Sequence, residues 1–295
     1  MTDYSKFKTL TFELVGSVAI VTLNRPNEGN AMDAYLGGAL RDVFPMLDAD
    51  DRVKCVIIAA NGKHFCTGAD FRQGDFTNEK TRGQGSSSKD ARDGGGQIAT
   101  IIHTRCRKPI IAAIQGSAVG VGITMTLPMD IRIACKDAKI GFVFVRRGIV
   151  MEANSSYFLP RLIGHSRALS VVLTGRVLPA SHPWLEDLFS DIVDKPEDVL
   201  PRALELAQEI AKENSMVSIA LTKGLTWRGA STPEGQHLLD SRVLYHTGRG
   251  VDSLEGTRSF MEKRPVDFKG SVQRDLPSFY PWWTTPDVSV RPSRL

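Results

Sequence analysis

The sequence predicts an α/β fold in which strands and helices alternate as repeated β-β-α units, followed by a region that is helical alone. Two observations carry this expectation. Four apolar runs rich in Val and Ile (Val18–Leu23, Val53–Ala60, Pro109–Ile114 and Asp130–Cys135) each end in a turn or polar break and are separated by longer helical stretches. From about Leu200 the character changes to helices. A sheet built from such strands is layered against the helices between them.

In chain order, Val18–Leu23 is the first predicted strand and Val53–Ala60 the second, leading into the glycine turn Phe65-Cys66-Thr67-Gly68-Ala69-Asp70. Residues 74–96 are low in complexity, with Gly83, Gly85, Ser86 to Ser88 and Gly94 to Gly96 among mixed charges; they read as a long mobile loop, either a lid over a site or a plain surface insertion. Pro109–Ile114 is a third strand, followed by the turn Gly116-Ser117-Ala118-Val119-Gly120-Val121-Gly122, and Asp130–Cys135 is a fourth. An apolar strand then leads to a helix whose first turn contains Met151 to Tyr157. Four C-terminal helices are expected over Leu200–Lys212, Met216–Trp227, Glu234–Tyr245 and Ser253–Lys263. The last has Asp252 and, three positions on, Glu255, a capping-box pattern. Beyond it, Phe279, Tyr280, Trp282 and Trp283 follow no period and suggest an extended arm on the surface. The expected division is a core over 1–199, a helical region over 200–270 and an arm over 271–295.

Composition excludes several classes of function. The 295 residues, 42% of them hydrophobic, suffice for one large domain or two small ones around a substantial core. The net charge is +4 with no run of five or six basic residues, so nucleic acid is not an expected partner, whereas acidic small molecules are. Cys55, Cys66, Cys106 and Cys135 lack C-x-x-C spacing and the six histidines are scattered, which suits reduced core thiols and no metal site. Pro109–Met129 carries no charge but contains three glycines, two prolines and Gln115, a buried strand, turn and helix rather than a membrane span. Val18–Val21 is too short for a secretory h-region. The final Ser293-Arg294-Leu295 repeats the small, basic, leucine form of the peroxisomal address; coincidence is the alternative.

Glu152 is the one carboxylate between Gly141 and Arg161. A lone acid between apolar walls, here Phe142, Phe144, Val150 and Met151, has a raised pKa and suits a proton shuttle; the plainer reading is a carboxylate complementing a helix N-terminus. Each glycine turn can present a free backbone N–H where negative charge develops, and two such donors make an oxyanion hole; tight structural turns are the alternative. Arg146 and Arg147 read as surface ion-pairing residues, or as one cation turned inward toward an acyl carboxylate. Asn154, Ser155 and Ser156 are expected to cap the helix.

Five stretches in order carry a resemblance: Leu23-Asn24-Arg25-Pro26 with Asn30-Ala31, Phe65 to Asp70, Pro109 to Gly116, Asp130 to Ala134, and Phe260-Met261-Glu262-Lys263-Arg264. Over approximately residues 10 to 270 the chain resembles the crotonase family, the enoyl-CoA hydratase/isomerase superfamily. The resemblance implies a ClpP-like spiral of β-β-α units with a helical C-terminal region used in trimer formation, as a homotrimer or dimer of trimers. It implies an acyl-CoA thioester as substrate, with no cofactor beyond the CoA moiety and no metal, and an enolate held by the N–H groups of Ala69 and Val121. Gly68, Asp70, Phe71, Arg72 and Gly120 are the implied CoA-binding residues beside them, with Arg72 near the nucleotide. Phe260 and Lys263 fall where a neighbouring subunit touches CoA.

The two glutamates used by hydratases of the family match Thr124 and Phe144 here, and neither can transfer a proton. Glu152 is similar in placement to the single catalytic glutamate of peroxisomal Δ3,Δ2-enoyl-CoA isomerases. The expected function is therefore isomerisation of a 3-enoyl-CoA to the 2-enoyl-CoA in the peroxisome, with an import receptor as partner. The alternatives are hydration or dehydration of an enoyl-CoA in a specialised pathway, and a non-catalytic crotonase-fold binding protein.

Overall fold

The computed structural model describes residues 2–73 and 91–288. An antiparallel hairpin of β1 (Leu10–Val15) and β2 (Val18–Leu23) opens the chain. α1 (Ala34–Ala49) follows, capped by the Asp33 side chain, which accepts from Leu36 N at 2.7 Å. Next come β3 (Cys55–Ala60), α2 (Gly94–Arg105), β4 (Ile110–Ile114), β5 (Ala118–Val119) and the single turn α3 (Val121–Thr124). β6 (Ile131–Cys135), β7 (Lys139–Gly141), α4 (Ser155–Thr174), β8 (Val177–Pro179), β9 (Asp191–Val193) and α5 (Pro196–Glu213) complete the repeats. α6 (Met216–Arg228), α7 (Pro233–Thr247) and α8 (Val251–Glu262) form the helical end.

Successive units divide their strands between two sheets, which makes the chain a spiral. One sheet runs β1-β2-β3-β4-β6-β9, parallel beyond the first hairpin; the other runs β5-β7-β8. Every residue of β4 is buried, as are Cys55–Ala59 of β3. Strands covered on both faces read as continuous apolar runs, which is why these were visible in the sequence. α5 crosses β2, β3, β4, β6 and β9, presenting the small buried residues Ala203, Ala207 and Ala211 at four-residue spacing.

Several expectations need correcting. The predicted loop extends too far, since α2 already begins at Gly94, where the Asp93 carboxylate accepts from Gly95 N and Gly96 N; residues 74–90 lie outside the described residues. Glu152 is not in the first turn of α4. It precedes that helix by three residues, because Ala153 and Asn154 take left-handed φ values of 53° and 56°. α4 is itself broken at Gly164 (φ 77°, ψ 156°). Asp252 and Glu255 form no capping box: α8 starts at Val251. Asp252 accepts from Ser215 Oγ, Lys269 N and Gly270 N, and Glu255 holds Arg264. In the arm, Phe279, Tyr280 and Trp282 pack against Val217, Leu221 and Val243, and Trp282 Nε1 donates to Arg228 O at 2.8 Å. No helix among the described residues is long and apolar enough to cross a membrane.

Candidate active site

The two glycine turns meet backbone to backbone. Cys66 and Ala118 form a parallel bridge, with Cys66 N donating to Ser117 O and Val119 N to Cys66 O, both at 3.0 Å. Any Cβ at Gly122 would lie 2.1 Å from Cys66 O, and one at Gly68, which also has φ +106°, would lie 3.1 Å from Val119 O. This approach sets Ala69 and Val121 on neighbouring segments. Their flanking groups are committed: Met32 N donates to Gly68 O, Asp70 N to Met32 O, and Gly120 N to Gly141 O. The N–H groups of Ala69 and Val121 find no acceptor among the described residues. Because α3 is one turn long, any stabilisation of negative charge here would come from these local N–H groups rather than from a helix macrodipole.

α3 also links this region to Glu152. Its last residue, Thr124, is fully buried, and its hydroxyl lies 2.5 Å from Glu152 Oε1 and 3.3 Å from Gly120 O. On the other side, Oε2 rests against α2, where a Cβ at Gly95 would come within 2.0 Å of it. Part of the Glu152 side chain reaches solvent, yet burial pushes its carboxyl up to about 8; the Thr124 hydroxyl pulls it down and the charge of Asp93 raises it further. The site therefore holds a carboxyl that is mostly protonated at neutral pH and titrates just above it.

The walls are partly as expected. Phe142 and Phe144 are buried and Met151 half-buried, but Val150 is 81% exposed: Ile149 and Met151 turn toward the core and leave the residue between them outside. Arg146 and Arg147 neither turn inward nor form ion pairs among the described residues; they donate to Thr174 O and Arg146 O at the surface. Asn154 occupies the N-cap position of α4 without a side-chain cap bond, and its Nδ2 donates instead to Thr100 Oγ1 at 2.9 Å. Ser155 Oγ donates to Glu152 O at 2.5 Å.

Among the implied CoA-binding residues, Asp70 is an internal anchor. Its buried carboxylate takes a bidentate pair from Arg72 at 2.8 and 2.6 Å and a third contact from Arg25 at 3.1 Å, and these guanidinium groups, Arg72 above all, hold it well below the usual carboxylate range. Arg72 keeps 60% of its side chain exposed and Phe71 is half exposed. Phe260 and Lys263 are exposed on and just after α8, and no bond joins them to Glu152 within the described chain. A cavity of about 620 Å³ beside α6, lined by Asp130, Lys223 and Trp227 among others, does not include Glu152. In the sequence Thr124 stands out only as the match to a hydratase glutamate; nothing there marks it, or Asp93, as a partner of Glu152. The cap rule alone could have marked Asp93, but three glycines after it conceal the helix.

The spiral and its paired backbone donors place the chain in the crotonase superfamily of acyl-CoA enzymes. The enoyl-CoA hydratase/isomerase family model matches residues 13–271, and the chain belongs to that family. It is 46% identical over 256 residues to enoyl-CoA hydratase AFT3-1 of Alternaria alternata, covering 87% of this chain and 84% of the relative. It is 31% identical over 264 residues to the (E)-benzylidenesuccinyl-CoA hydratase of Thauera aromatica, covering 89% and 99%. Among solved structures, the enoyl-CoA hydratase of Bacillus anthracis superposes with a TM-score of 0.78 at 26% identity, over 90% of this chain and all of that one.

Proposed function

We propose that the protein moves the double bond of a 3-enoyl-CoA into conjugation with the thioester, using Glu152 as the single acid/base. The observation that carries this reading is the Thr124–Glu152 hydrogen bond. A hydroxyl stands where hydratases of the family have one glutamate, a buried phenyl ring at Phe144 stands where they have the other, and the remaining carboxylate is held between Thr124 and α2. Asp93, which raises the Glu152 pKa by its charge, is occupied by three backbone N–H groups.

In this chemistry the ionised Glu152 removes a proton from C2, and the electron pair moves to the thioester oxygen, where the Ala69 and Val121 N–H groups stabilise the enolate. The same proton then returns from Glu152 to C4 as the carbonyl reforms. Arg72 would lie near the CoA nucleotide, with Gly68, Phe71 and Gly120 beside the thioester. Phe260 and Lys263 would reach a neighbouring subunit's CoA in a homotrimer or dimer of trimers, and the chemistry needs no cofactor beyond the substrate's CoA moiety. Ser293-Arg294-Leu295, outside the described residues, would direct import into the peroxisome.

Hydration is the second reading, favoured by the hydratase names of two Alternaria alternata relatives at 46% identity, AFT3-1 and ACTT3. Isotopes separate the two. In deuterium oxide, 3-enoyl-CoA should give 2-enoyl-CoA with part of its C4 hydrogen derived from C2, because the shielded carboxyl returns its proton before exchange. With 2-enoyl-CoA in ¹⁸O-water, addition should run at least about 10²-fold slower, the scale of one missing acid-base partner. Dominant uptake of labelled oxygen would make the protein a hydratase. No turnover on a panel of acyl-CoAs would leave a binding protein.

A further inference from the structure

The turn that carries Glu152 has a shape that Ala153 does not favour. Ala153 and Asn154 are both left-handed, and neither is glycine. The start of α2 holds it there. Asp93 Oδ2 accepts from Ala153 N at 2.7 Å and from Gly96 N at 2.8 Å, while Oδ1 accepts from Gly95 N at 3.0 Å. A second tie runs from Asn154 Nδ2 to Thr100 Oγ1. Capping α2 requires only the two bonds to Gly95 and Gly96; the bond to Ala153, sixty residues along the chain, is the shortest of the three.

We propose that Asp93 is a positioning residue for Glu152: its carboxylate locks the left-handed turn onto α2 and so fixes where the Glu152 carboxyl points. The proposal rests on the reading of Glu152 as the acid/base. Gly95, bonded to the same carboxylate, is the residue whose missing Cβ leaves room for Glu152 Oε2. One side chain thus sets both the turn and the surface against which the acid rests. Asp93 also acts through charge. It faces Glu152 from α2, with the neutral Thr124 hydroxyl facing from α3 and the buried Cys66 thiol, itself pushed up to about 12, from the turn after β3. Asp93 is the one carboxylate in that set, and its charge disfavours a second negative charge on Glu152.

The test combines a substrate-free titration with kinetics. In protein labelled with [¹³Cδ]glutamate, the Glu152 carboxyl resonance, assigned by its loss in Glu152→Gln, is followed against pH by NMR. Asp93→Asn should lower its midpoint, since a charge is removed while an acceptor for Ala153 N remains. Asp93→Ala should lower kcat on 3-enoyl-CoA by about 10- to 100-fold with KM changed far less, because a loosened carboxyl costs orientation rather than binding. Asp93→Asn should retain more kcat than Asp93→Ala. If Asp93→Ala fails to fold by circular dichroism, the isosteric Asp93→Asn and its midpoint decide. A Glu152 midpoint unmoved in Asp93→Asn, or an unchanged kcat in folded Asp93→Ala, overturns the proposal. Should the wild type turn over no acyl-CoA, the proposed chemistry fails, and the titration still decides whether Asp93 governs Glu152.

Discussion

Glu152 keeps its proton to about pH 8 in the folded chain, against an ordinary value of 4.5, and the cause is loss of solvent around the carboxyl. Between those values the unfolded chain is ionised while the folded chain binds a proton, so this group makes stability fall as pH rises from about 4.5 to about 8, with no further change above. Glu152→Gln should remove that dependence: its melting temperature relative to wild type should climb across the same window, as calorimetry at several pH values would show. The same variant should lose about 10² to 10⁴ in turnover with acyl-CoA binding nearly intact, because volume stays and the proton shuttle goes. Near wild-type turnover would remove Glu152 from the chemistry. The residue was legible in the sequence because it is the one carboxylate in a long apolar stretch. Thr124 was legible as the replacement of a hydratase glutamate but not as a partner of Glu152, since a threonine's contacts show only in the fold and this one lies 28 positions away.

At the scale of elements, the site is built from turns rather than from helix interiors, and two substitutions probe this. Gly95→Ala should leave the melting temperature little changed, because the gain of about 1 kcal/mol for alanine over glycine within a helix is offset by displacement of the Glu152 carboxyl. Its methyl group, however, would strike Glu152 Oε2, so turnover should fall by about tenfold or more. Equal activity would show that the carboxyl rests elsewhere. Val121→Pro deletes a donor at the first position of α3, where proline is tolerated, and should cost about 3 kcal/mol in the transition state, provided circular dichroism shows an intact fold. A folded, fully active variant would place the donor elsewhere. The long strands were readable because they are buried on both faces. β5, β7 and β8, of two or three residues each, were not, being too short for any period to register. The start of α2 was hidden for a different reason: its helix is fixed by the Asp93 cap and tertiary contacts against the preference of three glycines.

For the whole molecule, the helical end displays apolar side chains that nothing among the described residues covers. Leu238, Leu244, Leu254, Phe260 and Met261 are each at least 68% exposed on α7 and α8. In the proposed trimer, copies of the chain would bury this face. Sedimentation equilibrium should then give a mass three or six times 32.4 kDa, and Leu244→Glu with Leu254→Glu should shift it toward the single chain. A wild-type mass of one chain would refute the assembly. Deleting Ser293 to Leu295 should leave an N-terminally tagged chain in the cytosol with full activity in vitro. Punctate peroxisomal signal after deletion would show that import rests on another feature.

The Thr124 hydroxyl carries one hydrogen and lies between two oxygens, Glu152 Oε1 and Gly120 O. When Glu152 is ionised, that hydrogen points to it; when Glu152 is protonated, the acid donates to Thr124 and the threonine hydrogen swings to Gly120 O. In the proposed isomerisation, rotation about a single C–O bond would satisfy both ends of the catalytic cycle without displacing a heavy atom. Such a shuttle would need no reset between turnovers.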